Sequence, residues 1–422
     1  MLLLGLANFN RNMPTNTERF LFAPFGTLQY VYRYAVAFVE VRFSPFFDPF
    51  GETIIKYQQT MRWQMAVVRA IEVGFGTNSL TTGTDDKGNP IIKTFQSFVA
   101  KTDPLKSGLN AGLNKRDTVT VDVNGQLYEV GPDAYLASDK ASSRVLNSSY
   151  IKSDQYQALL LGSLSYMNAE KIDLLVLALP VENWSRRDDL KSLMQGSHTV
   201  NNKNYFIKDV WVIVQPLGGL MAYANRIGQK GYDELKEQTI LSVDPGFGTF
   251  DYVLSRGLKL NESRSGGSEL GMSAVLSECS KDLKSAFPNL SDFPIEKIDE
   301  AFYKNDGFIR ISGRKYPFPH CKGKTVEGKK VDIHFDLTSS IESVTSNAVT
   351  KLKNTVGNGG DIDLIILMGG PHKVYLKALQ EAYPDHEIII LEDAIRAVCE
   401  GMFFAGLQYQ VAMAANARKK AS

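Results

Sequence analysis

The sequence predicts an α/β protein built from two related halves. Three observations carry that prediction. A glycine turn occurs twice, short apolar runs alternate with helical patterns behind each copy, and the 422 residues exceed what one ordinary core accommodates. The first turn reads Ile71-Glu72-Val73-Gly74-Phe75-Gly76-Thr77-Asn78-Ser79, and the second Val243-Asp244-Pro245-Gly246-Phe247-Gly248-Thr249-Phe250-Asp251. They share the pattern acidic-x-Gly-Phe-Gly-Thr, with Glu72 and Asp244 standing 172 positions apart. Each follows an apolar run (66–71, broken by Arg69, and 239–243) and leads into another, so each reads as strand, tight turn, strand.

That shape has a chemistry. Glycine tolerates positive φ and lets backbone N–H groups approach an anion. A carboxylate at the strand end before the turn suits the waters around Mg²⁺, which stays partly hydrated when it binds phosphates. Two such turns facing each other would grip a nucleotide triphosphate between two domains. One Gly-x-Gly turn alone reads equally well as an ordinary β-hairpin; the second copy at domain-length spacing favours phosphate.

Composition narrows the classes. An apolar fraction of 44% with 22% charged residues is that of a globular chain. A net charge of +1 makes no overall electrostatic bid for nucleic acid or membrane. Cys279, Cys321 and Cys399 are scattered without a CxxC pair, which indicates neither a disulfide framework nor a zinc site and fits a reducing, cytoplasmic setting. His320 beside Cys321 reads either as a metal pair or as a coincidence in a loop.

Residues 1–64 differ from the rest. The apolar stretch 1–7 lacks the basic flank of a signal peptide. Residues 20–50 are rich in Phe, Tyr and Val but hold no uncharged apolar run long enough to span a membrane. They are either an N-terminal extension or an over-extended reading frame with Met65 as the natural start, and the expectation is the second.

From Met65 the elements follow in order. Strands are expected at 66–72 and 79–84, a turn at Asp85–Asn89, and a strand at 91–99. The polar stretch 101–115 reads as a loop. Asn124-Gly125 marks a hairpin between 118–123 and 126–130. Ser153 caps a helix to about 168, and 173–179 is an unbroken apolar strand stopped by Pro180. Ser185 is expected to cap a short helix to 195. Asn201-Asn202 forms a hairpin tip, 209–214 a buried strand, and Gln215-Pro216 opens a helix over 217–226. The second half repeats the plan: strands at 239–243, 251–255 and 257–260, then a turn at Ser265–Glu269 leading into a helix to about 287. Residues 288–330 read as a smaller subdomain. Asp336 caps a long helix to about 355, 361–367 is a strand ending in Met368-Gly369-Gly370-Pro371, and a helix runs to 382. A strand at 387–391, a helix at 393–406 and a frayed basic tail at 416–422 complete the chain.

Other candidate residues lie between the turns. Gln215, at a strand end, either orients a water for in-line attack on a γ-phosphate or simply caps its helix. Gly266-Gly267-Ser268-Glu269 and Gly369-Gly370 precede helices, where N-termini favour anions and glycines admit a flat base or ribose. Glu269 suits a ribose hydroxyl or a helix dipole equally. Neither a Walker motif nor an HExxH or GxSxG motif is present.

These blocks resemble the actin/sugar-kinase/heat-shock-chaperone ATPase superfamily and, within it, the plasmid-segregation actin-like ATPases of the ParM/StbA type. The resemblance rests on Leu177-Ala-Leu-Pro-Val-Glu182, Val214-Gln-Pro-Leu-Gly-Gly219, the second turn with its flanks from Ser242, Gly266-Gly-Ser-Glu-Leu-Gly271, Leu367-Met-Gly-Gly370 and Asp393-Ala-Ile-Arg-Ala-Val-Cys-Glu-Gly401, in the family's order over about 65–408. It implies an actin-like ATPase fold of two RNase-H-like domains with ATP and Mg²⁺ in the cleft. The domains would be 65–238 and 239–392, with 393–422 a helix returning to the first and a basic tail. Glu72 and Asp244 would hold the metal through water and serve catalysis. Gly74, Gly76, Thr77 and Asn78, with Gly246, Gly248 and Thr249, would bind phosphates, and Gln215 would place the attacking water. Gly267, Glu269, Gly369 and Gly370 would line the nucleoside. Two departures stand out: Glu72 replaces the usual Asp, and Ser79 stands about where many members carry Lys.

The function so implied is a cytoplasmic ATPase that forms homopolymer filaments, assembled with ATP and dismantled on hydrolysis. It would segregate a plasmid through a DNA-bound adaptor, without direct nucleic-acid or membrane contact. Two alternatives remain: a sugar or small-molecule kinase of the same superfamily, and a nucleotide-gated scaffold that barely hydrolyses.

Overall fold

The computed structural model describes residues 66–102, 116–137, 150–290, 295–323, 325–326, 329–330 and 333–421. All of them fall within one compact unit, Pro49–Ser422. The expectations for residues 1–64, for Met65 as a start, for the loop from 103 to 115 and for the final residue lie outside the described residues.

Two five-stranded sheets carry the fold, and they share one topology. The first contains β1 (Val68–Val73), β2 (Thr77–Thr84), β3 (Pro90–Gln96), β4 (Leu174–Leu179) and β5 (Val210–Val214), in the order β5-β4-β1-β2-β3. The second contains β6 (Thr239–Pro245), β7 (Phe250–Arg256), β8 (Lys259–Ser268), β9 (Leu364–Leu367) and β10 (Ile388–Ile390), in the order β10-β9-β6-β7-β8. Each opens with an antiparallel meander and adds two strands parallel to its first. The registers coincide too: Glu72 pairs with Ser79, and Asp244 with Asp251. The repeated phrase in the sequence is thus a repeated ladder.

Five smaller sheets and eight helices complete the described fold. The helices are α1 (Asp154–Leu164), α2 (Arg187–Met194), α3 (Gln215–Leu235), α4 (Met272–Ala286), α5 (Ile295–Lys304), α6 (Thr338–Val356), α7 (His372–Ala382) and α8 (Ala397–Ala421). Ser153 caps α1 by accepting the Tyr156 N–H. Asp336 holds the start of α6, its Oδ1 accepting the Thr338 N–H at 3.0 Å and the Thr338 hydroxyl at 2.7 Å. Asn124 and Gly125 have positive φ, as a two-residue hairpin of the primed type requires.

Three expectations are corrected. Ser185 caps nothing: it lies inside a 3-10 turn, Val181–Arg186, and α2 begins only at Arg187. Ser265–Ser268 is not a turn but the end of β8, where Gly266 and Gly267 pair with Tyr252 and Asp251 of β7. The terminal helix runs through Ala421 instead of stopping near 406, so the expected frayed tail is largely helix.

The packing has three layers of core. One cluster backs the first sheet with α1, another backs the second with α4, α6 and α7. The third lies between the facing sides of the two sheets. There Val68, Ala70 and Val176 of the first sheet, and Ile240, Ile366 and Met368 at the second, close on Leu220 and Ala224 of α3 and Val398 and Met402 of α8. α3 and α8 cross with their backbones in contact. A Cβ placed on Gly401 would lie 1.7 Å from the Gly218 carbonyl oxygen, and one on Gly218 would lie 2.7 Å from that of Val398.

This layering aims the acids. Successive side chains of a strand point to opposite faces. Val68 and Ala70 face the central layer, so Glu72 does also; Ile240 faces it from β6, and Asp244 follows at the same period. The two acids therefore turn toward one another.

Candidate functional site

Parallel strands of an open α/β sheet collect ligand-binding loops at their carboxyl ends. Here those ends are where the predicted site residues gather. The two turns leave β1 and β6, Pro180 to Glu182 leave β4, Gln215 follows β5, and Met368 to Gly370 follow β9.

The two turns close alike. The Gly74 N–H donates to the Thr77 carbonyl at 2.9 Å, and the Gly246 N–H to the Thr249 carbonyl at 2.7 Å. A Cβ on Gly74 or Gly246 would press within 3.1 or 3.2 Å of that same carbonyl, which would have to give by a few tenths of an ångström. They differ in their threonines: Thr77 is exposed, whereas Thr249 is buried and its hydroxyl donates to Asp251. The second turn is also tied to α4. The Met272 N–H donates to the Gly246 carbonyl and the Ser273 N–H to that of Phe247, across Gly271, whose absent Cβ would sit 2.6 Å from the Gly248 carbonyl carbon.

Three carboxyls meet beneath the turns. Glu72 keeps some solvent exposure, but its Oε2 is buried and has no hydrogen-bond partner. Burial, then the nearby Asp244 charge, raises Glu72 well above the carboxylate range. Asp244 is 6% exposed and is pushed up to about 7 by burial and then by Asp251. Asp251 is pushed up to about 7 by burial, partly offset by the bonds it accepts from Thr249 and Val181. Its Oδ1 accepts the Val181 N–H at 2.8 Å, a bond from the second sheet's β7 to the loop after β4 in the first. Glu182 is also raised, by burial and then Glu269, with Lys351 pulling the other way.

The remaining residues divide. Gly267 lies against the Asp251 carboxylate and Glu182, and Gly369, at φ 81°, lies against the Asp244 carboxylate: a Cβ there would be 2.6 Å and 2.4 Å from an Oδ1 respectively. Gly370 follows it at the start of α7, and Gln215, 7% exposed, begins α3. Asn78 is not brought to the turns' surface. It is fully buried and donates through Nδ2 to Ser163 of α1 at 2.8 Å. Asp251 and Gly271 are not among the residues that the sequence reading names; aligned on the two turns, Asp251 stands where the first has Ser79.

The donor set suits a hard cation. Oxygen-only acids, one with an orphaned buried oxygen and all held proton-rich by mutual burial, are the kind of group a partly hydrated Mg²⁺ relieves. Among the described residues, no group of three or more His, Cys, Asp or Glu is arranged to hold a metal ion. His320 and Cys321 do not form a pair: His320 bonds Asp336, and Cys321 is buried with its thiol on the Ile333 carbonyl. Among the described residues, no helix is long and apolar enough to cross a membrane.

The raised acids make stability pH-dependent. Asp244 and Asp251 keep protons in the folded protein that the unfolded chain gives up, so their contribution is present at low pH and is lost as pH rises toward about 7. The exposed acids Glu300 and Asp336, each held near about 2 by hydrogen bonds, act oppositely and only under strong acid. The ligand-free protein should therefore melt at a higher temperature at about pH 5.5 than at about pH 7.5. Asp251→Asn, which keeps the acceptor for Val181, should shrink the difference in a circular-dichroism melt.

Among known proteins, residues 70–218 match the family model described as the N-terminal domain of actin-like proteins. A comparison with curated protein sequences finds no match. Solved structures do match. The archaeal actin homolog Ta0583 aligns at a TM-score of 0.61 with 16% identity, covering 80% of this chain and 98% of that one. Its complex with ADP aligns at 0.59 with 15% identity, over 80% and 98%. The subunit of a 15-stranded ParM filament from Clostridium botulinum aligns at 0.59 with 18% identity, over 81% and 99%.

Proposed function

We propose that this chain, which has the actin-like fold, binds ATP with Mg²⁺ between its two halves, hydrolyses it, and assembles into filaments. The observation that carries the reading is the pair of matched turns over two mutually facing acids. In this reading the halves are the domains 65–238 and 239–392, with α8 returning to the first. The turns Gly74–Thr77 and Gly246–Thr249 hold the phosphates. Glu72 and Asp244 hold the metal through water, and bound Mg²⁺ would neutralise phosphate charge. Gln215, at the carboxyl end of β5, orients the attacking water, and Gly267, Glu269, Gly369 and Gly370 lie on the nucleoside side. The ADP complex of the archaeal homolog and the ParM filament support nucleotide binding and self-association by likeness of fold. Segregation of a plasmid through a DNA-bound adaptor is the cellular role that fits, with force applied through the partner and not through this near-neutral chain.

The test is light scattering of the purified protein on adding ATP and Mg²⁺, with phosphate release followed in the same sample. A rise that decays as phosphate appears supports the reading. Phosphate without a rise removes the filament; ATP loss that sugars stimulate, with ADP formed but neither a rise nor free phosphate, favours a kinase that passes the γ-phosphoryl to the sugar; a lasting rise without phosphate favours a scaffold. Gln215→Ala should slow phosphate release about 10²-fold while leaving nucleotide affinity within about threefold. Unchanged turnover would remove Gln215 from the mechanism.

A further inference from the structure

The two turns interlock. The ring of Phe247 lies on Gly76, where a Cβ would be 2.8 Å from the Phe247 Cβ and 3.1 Å from its Cγ. The ring of Phe75 lies on Gly248, where a Cβ would be 2.5 Å from its Cδ2 and 2.6 Å from its Cγ. Each aromatic thus covers the second glycine of the opposite turn, and glycine is the residue that leaves room for it. We propose that Phe75 and Phe247 are positioning residues that form a reciprocal clasp, holding the two turns together in the nucleotide-free protein and parting before phosphates pass between them.

An ordinary core role does not account for this arrangement. Phe75 is buried in its own half, stacked on Tyr150 at 4.8 Å, which in turn meets Tyr156 edge-on. Those contacts would fill the core without Gly248. Phe247 packs against the clusters of both halves, though its backbone is pinned to α4 in its own. The clasp is therefore anchored on each side, and the two rings close it. Apolar contact of this kind is strong in water but offers nothing to a phosphate, so phosphates and rings compete for the space between the glycines. The residues that bind phosphate and those that exclude it alternate within one Gly-Phe-Gly-Thr turn. The inference rests on the reading that a nucleotide sits between these turns.

Amide hydrogen exchange of the nucleotide-free protein tests the clasp directly. Phe247→Ala should speed exchange in the opposite turn, Gly74–Thr77, by about tenfold, and Phe75→Ala should do the same to Gly246–Thr249. Stopped-flow uptake of a fluorescent ATP analogue should quicken by about tenfold in either variant. Phe247→Leu keeps the core filled but cannot lie flat on Gly76, and should show a smaller rise in the same place if the alanine variant folds poorly. Faster exchange confined to the substituted turn, with Gly74–Thr77 as in the wild type for both Phe247 variants, overturns the clasp. If exchange crosses between the turns but the wild type takes up no ATP analogue, the clasp stands and the nucleotide reading falls. If the wild type takes up the analogue and neither variant changes exchange across the turns, the clasp alone falls.

Discussion

Asp244→Ala should reduce phosphate release by at least about 10³-fold and abolish ATP-driven light scattering, while the protein stays folded. Asp244 links the other two acids to the glycine turn after β9. Its register partner is Asp251, its charge raises Glu72, and its carboxylate fills the notch left by the missing side chain of Gly369. Burying a carboxyl in this way costs stability unless it is neutralised, and with its titration pushed up to about 7 Asp244 is neutralised by a proton only below neutral pH. Removing the group should therefore be nearly harmless to the free fold at neutral pH and ruinous to holding a cation. Asp244→Asn separates the two effects. It keeps the shape, should raise the melting temperature at about pH 7.5, and should still lose the phosphate signal. Turnover retained in both variants would remove Asp244 from the mechanism and with it the pairing on which the proposed function rests.

Gly401→Val should cost about 3 kcal/mol of unfolding free energy, read as a lower urea midpoint with an unchanged slope. The reason is backbone, not side chain. A Cβ at 401 meets the Gly218 carbonyl oxygen at 1.7 Å and the Ala222 nitrogen at 2.6 Å, and neither belongs to a flexible group that could swing aside. The only relief is to separate α3 from α8, and those helices are the layer that spaces the two sheets. Separation would also move β1 relative to β6, so residual folded protein should bind nucleotide weakly. Gly83→Ala is the control, because a Cβ there meets nothing within 4 Å. It should stay within about 0.5 kcal/mol of the wild type. Equal stability of the two variants would contradict the close crossing.

Much of this was legible because it is local. Glycine at Gly74 and Gly246 answers to a carbonyl three residues away, Ser153 and Asp336 cap helices that begin beside them, and Asn124-Gly125 shapes its own hairpin. Strand β4 is buried at all six positions, and its unbroken apolar run says as much. The errors are equally physical. Gly266 and Gly267 look like a turn because glycine weakens strands, but the ladder with β7 outweighs that preference, and small residues are what the neighbouring Asp251 carboxylate and Tyr252 hydroxyl permit. Residues 416–421 look like a frayed basic tail, yet the alanines of 412–417 favour helix once the helix is nucleated by the packed turns before it. Asn78 belongs to the phosphate-turn phrase, but strand alternation sends it into the core toward Ser163.

What the sequence by itself determined was the existence of two equivalent units, since duplication preserves spacing and turn chemistry depends on neighbours in the chain. What only the tertiary structure decided was how those units meet. That Phe75 covers Gly248, that Asp251 reaches the Val181 N–H, and that Gly218 and Gly401 let two helices touch are contacts between residues 70 to 183 positions apart. Such contacts are set by the packing of whole layers against one another, and no local pattern of residues encodes the distance between two layers.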